Sequence, residues 1–504
     1  MTNRVGHSDL LVEGRGRGAR LLTLLVPVAA IAGLATIYVS GLGHHGMFMW
    51  DEAHYAVLGR ALARGEGYVA PDGTPESLRP PVLPLAVAAA LRLMPGRDPD
   101  RTALAVMVVA ALFAVLVVYV SVRAEVGAIG GLAAALLFGT FPEVCRLASY
   151  LLTEIPLMVF YTAAVILFHR GLHRDPRYFP AAWVCFALAL MTRYTAVLFG
   201  PTCALLVAFC LATRDAAALR RMRTGYFIAG PLVAAVILLP MFVRAQLHFG
   251  DALVGFKKAS QQLPEYSAHA RMPVHYYVSL LPRMIGWLPA LALAAMSGYV
   301  VASRDRLGVT CLIAAVVIIG WLSQYGWKEP RLVSAALPFM AILLGTGLSR
   351  FAFAENMRNP HALIAAAAVL FLVGVRFDPG YRSVRARITG SVALGYPSFL
   401  HAMDWVRRET PRTAVLMGPN CYQISWYADR SCTHLPREAS FRASLAGVDY
   451  VVATSFERGQ PPYLNEQLER VTPSDYATGR AWRFRDSRFW TSVVPSTLLV
   501  EGGA

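Results

Sequence analysis

Charge is what this 504-residue chain has least of. Asp, Glu, Lys and Arg make up 15% of it, against about 25% in an ordinary soluble protein. That deficit excludes a conventional water-soluble globule of this length. Acids are the scarcer sign, 31 against 47 Lys and Arg, for a net charge of +16. No nucleic-acid-binding motif accompanies the excess, so it points to anionic lipid or a phosphate-bearing substrate. Neither a P-loop nor a GxGxxG after a strand occurs, which argues against an ATP or nucleotide-sugar site. The leader glycines alternate with arginine and follow no strand. No CxxC pair exists, and the 12 histidines show no metal-ligand spacing. His44, His45 and His54 lie near an acidic pair and are the one place for a divalent metal; none is required. There is no internal repeat. The first apolar segment is too long, and lacks the small-residue cleavage site, for a removable signal.

What is present is apolar sequence: 56% of residues are hydrophobic. Residues 1–20 read as a polar, cytoplasmic leader. Residues 21–42 are long enough to cross the hydrocarbon. The amphipathic stretch 43–101 reads as a first outer loop, with a helix at 52–64 and a short apolar piece at 82–94 suited to an interfacial helix. Further spans read as 102–122, 128–142, 151–169, 179–192, 194–213, 225–246, 284–302, 307–325, 331–349 and 360–376. The fold class is mainly α, a polytopic bundle of about 11 spans. Arg170, Arg174, Arg177, Arg214, Arg220, Arg221, Arg223, Arg304, Arg306, Arg350 and Arg358 fall in alternate loops, which places those loops inside. The outer loop 247–283 also carries Lys257, Lys258, Arg271 and Arg283. The odd span number leaves 377–504 outside. That tail alternates helix (397–409), strand (413–417), strand (448–454), helix (461–470) and one or two strands within 481–499, a small extracytoplasmic α/β domain. Of seven cysteines, Cys185, Cys203, Cys210 and Cys311 sit in or beside spans and Cys145 borders a loop. Cys421 and Cys432 lie in the tail, where an oxidising compartment would allow a disulfide.

Chemistry concentrates where hydrocarbon gives way to interface. Phe48-Met49-Trp50-Asp51-Glu52-Ala53-His54-Tyr55 sets two carboxylates among aromatics directly after the first span. A carboxylate within reach of an attacking hydroxyl accepts its proton, and inverting sugar transfer needs one such base. Asp51 is the candidate; the alternative is that it caps the 52–64 helix. Glu52 and Tyr55 are acceptor or orienting candidates. Ser149-Tyr150-Leu151-Leu152-Thr153-Glu154 adds a second acid at a span start, Glu154, a catalytic candidate with Asp51 if the two outer loops meet, one acting as base while the other orients the acceptor or a basic neighbour. Glu143 behind Pro142 is a third acid, an orienting candidate, and a first-turn acid also complements the helix dipole. Arg79, Arg193, Arg244, Lys328 and Arg331 lie at the same membrane surface and suit a phosphate leaving group. Snorkelling to headgroups is the alternative for such residues, Lys257 and Lys258 above all.

Together Trp-Asp-Glu at 50–52, Arg-Pro-Pro at 79–81, Leu-Leu-Thr-Glu-Ile-Pro at 151–156, Thr-Arg-Tyr at 192–194 and Lys-Glu-Pro-Arg at 328–331 resemble the GT-C polytopic glycosyltransferases. The nearest branch is that of the aminoarabinose transferases and protein O-mannosyltransferases. The resemblance covers residues 20–350 as architecture, and the tail resembles the small α/β domain of many members. It implies a polyprenyl-phosphate sugar donor, an inverting reaction at the outer face of the plasma membrane, and a lipid, glycan or protein acceptor. It gives Asp51 the first-loop acid and Glu154 the second-loop acid, often Asp. Arg79 stands where a lysine frequently contacts donor phosphate, and Arg331 matches the basic residue before the late span. No loop is long enough for the β-trefoil domain of protein mannosyltransferases. Two other readings remain at this stage. A transporter or flippase would show repeats and mid-membrane ionisable groups. A polymerase or ligase acting on pyrophosphate-linked oligosaccharide would use a similar basic cavity.

Overall fold

The computed structural model describes residues 17–40, 46, 47, 49–268, 271–354, 381, 382, 396–455, 460–486 and 488–500. The chain folds into a helical bundle with a small mixed sheet at its C-terminal end. The first helices are α1 (Arg17–Val39), α2 (Trp50–Arg64), α3 (Val82–Leu93), α4 (Pro99–Gly139) and α5 (Pro142–Leu147). Then come α6 (Glu154–His173), α7 (Tyr178–Leu190), α8 (Phe199–Ala212), α9 (Ala216–Met222) and α10 (Gly225–Phe249). The bundle closes with α11 (Val254–Ala268), α12 (Tyr276–Ile285), α13 (Trp287–Ser303), α14 (Arg306–Ser323) and α15 (Leu337–Ala354).

Six of the described helical segments are long and apolar enough to cross a membrane: Pro99–Gly139, Glu154–His173, Tyr194–Ala212, Gly225–Phe249, Arg306–Ser323 and Pro330–Arg350. Shorter apolar helices occupy Val28–Val39, Val82–Leu93, Tyr178–Leu190 and Trp287–Ser303. The expected span 360–376 lies outside the described residues, as do the leader to residue 16 and His44 and His45. The expected pair 102–122 and 128–142 is present as two helices within Pro99–Gly139 that meet at Gly127, whose φ of 88° breaks the helix, and the chain folds back there so that Gly131 packs on Tyr119 and Arg123. That conformation is open to glycine because it has no Cβ. Along α10, Ile228, Leu232, Val236, Leu239 and Val243 are each 45–70% exposed. They recur at helical spacing on one face, which suits hydrocarbon and not water.

The region expected as the outer loop 247–283 is mostly helical, as α11 and α12. Asp251 and the αL glycine Gly250 end α10, and the chain turns back over the bundle end.

The tail contains α16 (Pro397–Glu409), β1 (Val415–Gly418), α17 (Cys421–Ala428), β2 (Ser431–His434), β3 (Tyr450–Thr454), β4 (Trp482–Arg485) and β5 (Trp490–Pro495). The strand order is β2-β1-β3-β5-β4. β1 pairs in parallel with β2 and β3, while β5 is antiparallel to β3 and β4. Cys421 and Cys432 form a disulfide that ties the start of α17 to β2. Helix α17 docks on α2. Arg60 donates to the Trp426 and Ser425 carbonyls at 2.8 Å each, and its guanidinium lies over the Trp426 ring. Asp100 accepts from Tyr427 Oη at 3.0 Å and from Trp426 Nε1.

The bundle end away from the tail carries the basic loops. Arg174 pairs with Glu125 at 2.6 Å, Arg306 with Asp215 at 2.9 Å, and Arg350 with Asp305 at 2.8 Å.

Candidate active site

Where the tail meets the bundle a cavity of about 700 Å³ opens. Its floor begins with the first turn of α2. The cap of that helix is Met49, not Asp51. Glu52 accepts from the Met49 N–H at 3.0 Å through one oxygen and from the Leu151 N–H at 2.9 Å through the other. It thereby bonds back to the N-cap N–H of α2 and joins that helix to the segment leading into α6. Asp51 is left free to face the cavity.

Both oxygens of Asp51 are taken by guanidiniums. Arg331 Nη1 donates to Oδ2 at 2.8 Å, and Arg79 Nη2 donates to Oδ1. Burial alone would raise the pKa of this carboxyl, but Arg79 and Arg331 outweigh it and hold it well below the usual carboxylate range. Behind them sits Glu154, which accepts from Arg193 Nη1 at 2.8 Å and lies 3.9 Å from Arg331 Nε. Its other oxygen, Oε2, is buried with no hydrogen-bond partner among the described residues. Glu329 accepts from Arg331 Nε. Three guanidiniums thus interleave with three carboxylates, a locally neutral cluster from five parts of the chain.

A second polar chain reaches Arg79 from the other side. Glu76 Oε1 accepts from the Leu78 and Arg79 N–H groups, while Oε2 lies 2.6 Å from His54 Nε2. Arg79 Nε donates to His54 Nδ1 at 3.2 Å. The Glu76 carboxyl is buried, yet the His54 and backbone hydrogen bonds bring it down to about 2. Burial pushes His54 below its ordinary value against the pull of Glu76. From the tail, the Tyr422 ring stacks on His54 with centroids 3.7 Å apart. Trp50, Tyr422 and His434 line the same side of the cavity entrance, and Tyr55 lies under the Arg79 guanidinium at 5.3 Å.

Of the residues singled out in the sequence, Asp51, Tyr55, Arg79, Arg193 and Arg331 line the cavity. Glu154 stands directly behind them. Four others do not face the cavity. Glu52 is spent on two backbone N–H groups, so it orients by holding α2 and not by touching an acceptor. Glu143 forms a bidentate pair with Arg146 at 2.6 and 2.8 Å. Lys328 is buried, donating to the Tyr325 and Met272 carbonyls. Arg244 donates to the Tyr68 and Glu76 carbonyls at 3.0 and 2.8 Å and braces the loop that carries Arg79. Lys258 does reach the cavity, bonded to Ser77 Oγ at 2.6 Å, whereas Lys257 pairs with Asp251 at 2.7 Å on the surface. Sequence reasoning missed Glu76, Glu329, Tyr422 and His434. Glu329 was in view within Lys-Glu-Pro-Arg; nothing local marks the tail residues. Among the described residues no group of three His, Cys, Asp or Glu side chains is placed to hold a metal.

Residues 78–243 match the family described as dolichyl-phosphate-mannose-protein mannosyltransferase, a third of the chain that includes Arg79, Glu154 and Arg193. No curated protein matches the sequence. The fold is similar to that of ArnT from Cupriavidus metallidurans bound to undecaprenyl phosphate, with TM-score 0.69 and 16% identity over 95% of this chain and 98% of that one. It is also similar to the archaeal oligosaccharyltransferase AglB from Archaeoglobus fulgidus in complex with an inhibitory peptide and a dolichol-phosphate. There the TM-score is 0.57, with 14% identity over 84% of this chain and 69% of that one. At these identities the likeness is one of fold. The chain is a multi-pass membrane protein with a fold similar to that of ArnT.

Proposed function

We propose that this chain is an inverting glycosyltransferase that moves a monosaccharide from a polyprenyl-phosphate donor to an acceptor hydroxyl at the outer face of the plasma membrane. The observation that carries the reading is Asp51 held between Arg79 and Arg331 on the floor of the cavity. One carboxylate and several converging guanidiniums are what a single displacement at an anomeric carbon needs. The fold shared with ArnT, solved with undecaprenyl phosphate, and with AglB, solved with a dolichol-phosphate, supports the donor class.

In the reaction the acceptor oxygen bonds to the anomeric carbon as its proton passes to Asp51. The bond from that carbon to the phosphate oxygen breaks, and its electron pair leaves with the polyprenyl phosphate. The donor is a phosphodiester with one negative charge, and the leaving group is a monoester that gains a second. Arg79, Arg331 and Arg193 therefore bind the transition state better than the ground state. At rest, however, Asp51 is a weak base, because two guanidiniums neutralise it. A donor phosphate competes for those same donors, since planar guanidinium forks serve phosphate as well as carboxylate. Donor binding thus frees Asp51 and raises its basicity when the sugar is in place. Glu154 holds Arg193 and Arg331 from behind during the exchange.

The basic loops at the far end of the bundle put that end in the cytoplasm by the positive-inside tendency. The tail and its disulfide then lie outside, where disulfides persist. The acceptor is a lipid, a glycan or a protein.

The test is sugar transfer by detergent-purified full-length protein, with polyprenyl-phosphate sugars and cell-envelope extract and no transmembrane gradient. Transfer lost in Asp51→Asn supports the reading. Gradient-dependent movement of lipid without transfer would replace it with transport.

A further inference from the structure

The Glu76–His54–Arg79 chain has a direction that chemistry imposes. Glu76 is a carboxylate and accepts only, so His54 Nε2 carries the proton between them. The other ring nitrogen, Nδ1, is then a lone-pair acceptor, and Arg79 Nε–H points at it at 3.2 Å. A neutral histidine with this tautomer is the one ring that satisfies both neighbours. The same carboxylate also takes the backbone N–H groups of Leu78 and Arg79, so it fixes the turn as well as the ring. With Nε engaged, the Nη edge of Arg79 is turned towards Asp51 and the cavity.

We propose that His54 and Glu76 are positioning residues that aim the Arg79 guanidinium at the donor phosphate, and that this relay goes with arginine, not lysine, at position 79. This rests on the phosphate-binding reading above. Lysine carries a methylene, Cε, where arginine carries Nε, so a lysine at 79 has no donor to present to His54 Nδ1. An ammonium is a point charge and needs no in-plane orientation; a guanidinium fork does.

Tyr422 seals the relay. Its ring covers His54, and its neighbour Cys421 is tied to β2 through the disulfide. The tail therefore bears on Arg79 through the ring that Tyr422 covers. Burial of His54 keeps the ring neutral, as the geometry requires.

A double-mutant cycle tests the relay, read as the affinity of the purified full-length protein for undecaprenyl phosphate. His54→Phe keeps the stack on Tyr422 and removes both ring nitrogens; it is expected to weaken binding by roughly tenfold in the wild-type background. In an Arg79→Lys background the same change is expected to cost less than about threefold. Glu76→Gln offers an N–H to Nε2, which turns the Nδ1 proton towards Arg79, and is expected to reproduce the His54→Phe loss. Equal losses in both backgrounds, or no loss from either variant, would overturn the relay. Failure of the wild-type protein itself to bind undecaprenyl phosphate would instead overturn the functional reading on which it stands.

Discussion

At the residue scale, neighbouring acids in one short motif have opposite fates. Asp51 is surrounded by cations and held low; Glu52, one residue on, is fully buried and pushed up to about 8, with backbone hydrogen bonds only partly opposing the burial. The sign of the consequence differs too. Asp51, with its folded pKa depressed, contributes stability that is complete above the unfolded value near 3.9 and lost only as pH falls through the folded one. Glu52, with its folded pKa raised above the unfolded value near 4.3, contributes stability at low pH that is lost as pH rises through about 8. The melting temperature is therefore expected to fall between pH 5 and pH 9. Glu52→Gln, which cannot ionise, is expected to start lower because its amide N–H₂ faces a backbone donor, and to vary less over that window. Parallel profiles for the two proteins would refute this account of Glu52. The sequence announced both carboxylates but not their division of labour. That division depends on Leu151, Arg79 and Arg331, which reach the pair only through tertiary packing.

At the element scale, the apolar helices were the most legible part, because hydrocarbon selects length and composition directly. Tyr178–Leu190 and Gly225–Phe249 begin within a residue of the expected spans, and the tail helix Pro397–Glu409 lies where its amphipathic pattern put it. The 247–283 region, expected as an outer connection between spans, carries the helices α11 and α12; α11 is amphipathic and brings Lys258 to the cavity. Strand β2 went unseen, since Ser431–His434 has a single buried side chain. The packing of α2 on α3 turns on Gly59. A Cβ there would meet Val87 Cγ1 at 2.5 Å and the Pro84 carbonyl at 3.1 Å. Gly59→Ala is expected to push the two helices apart at a cost of about 1–3 kcal/mol. Because α2 carries Asp51 and α3 follows Arg79, transfer activity is expected to fall with it. A thermal melt and an activity assay on one preparation check both, and unchanged values in each would contradict this packing.

At the scale of the whole molecule, the cavity is a meeting of distant segments: first-loop helix α2, the turn before α3, the start of α6, the stretch at Arg193, the stretch before α15, and α17 of the tail. All but α17 brought a local motif that alone had a bland alternative, a helix cap for Asp51 or a snorkelling cation for Arg331. Their convergence on one cavity is what supports the proposed roles, and convergence is not written locally in the chain. The tail had the least legible part in the site, because Tyr422 and His434 act by position and belong to no motif. The central claim is that Asp51 occupies, at rest, the guanidinium donors that the donor phosphate takes. The affinity of purified protein for undecaprenyl phosphate, wild type against Asp51→Asn, tests it most directly. Removing the competing charge is expected to tighten binding by about tenfold while abolishing transfer. Weaker binding in Asp51→Asn than in the wild type would contradict the account.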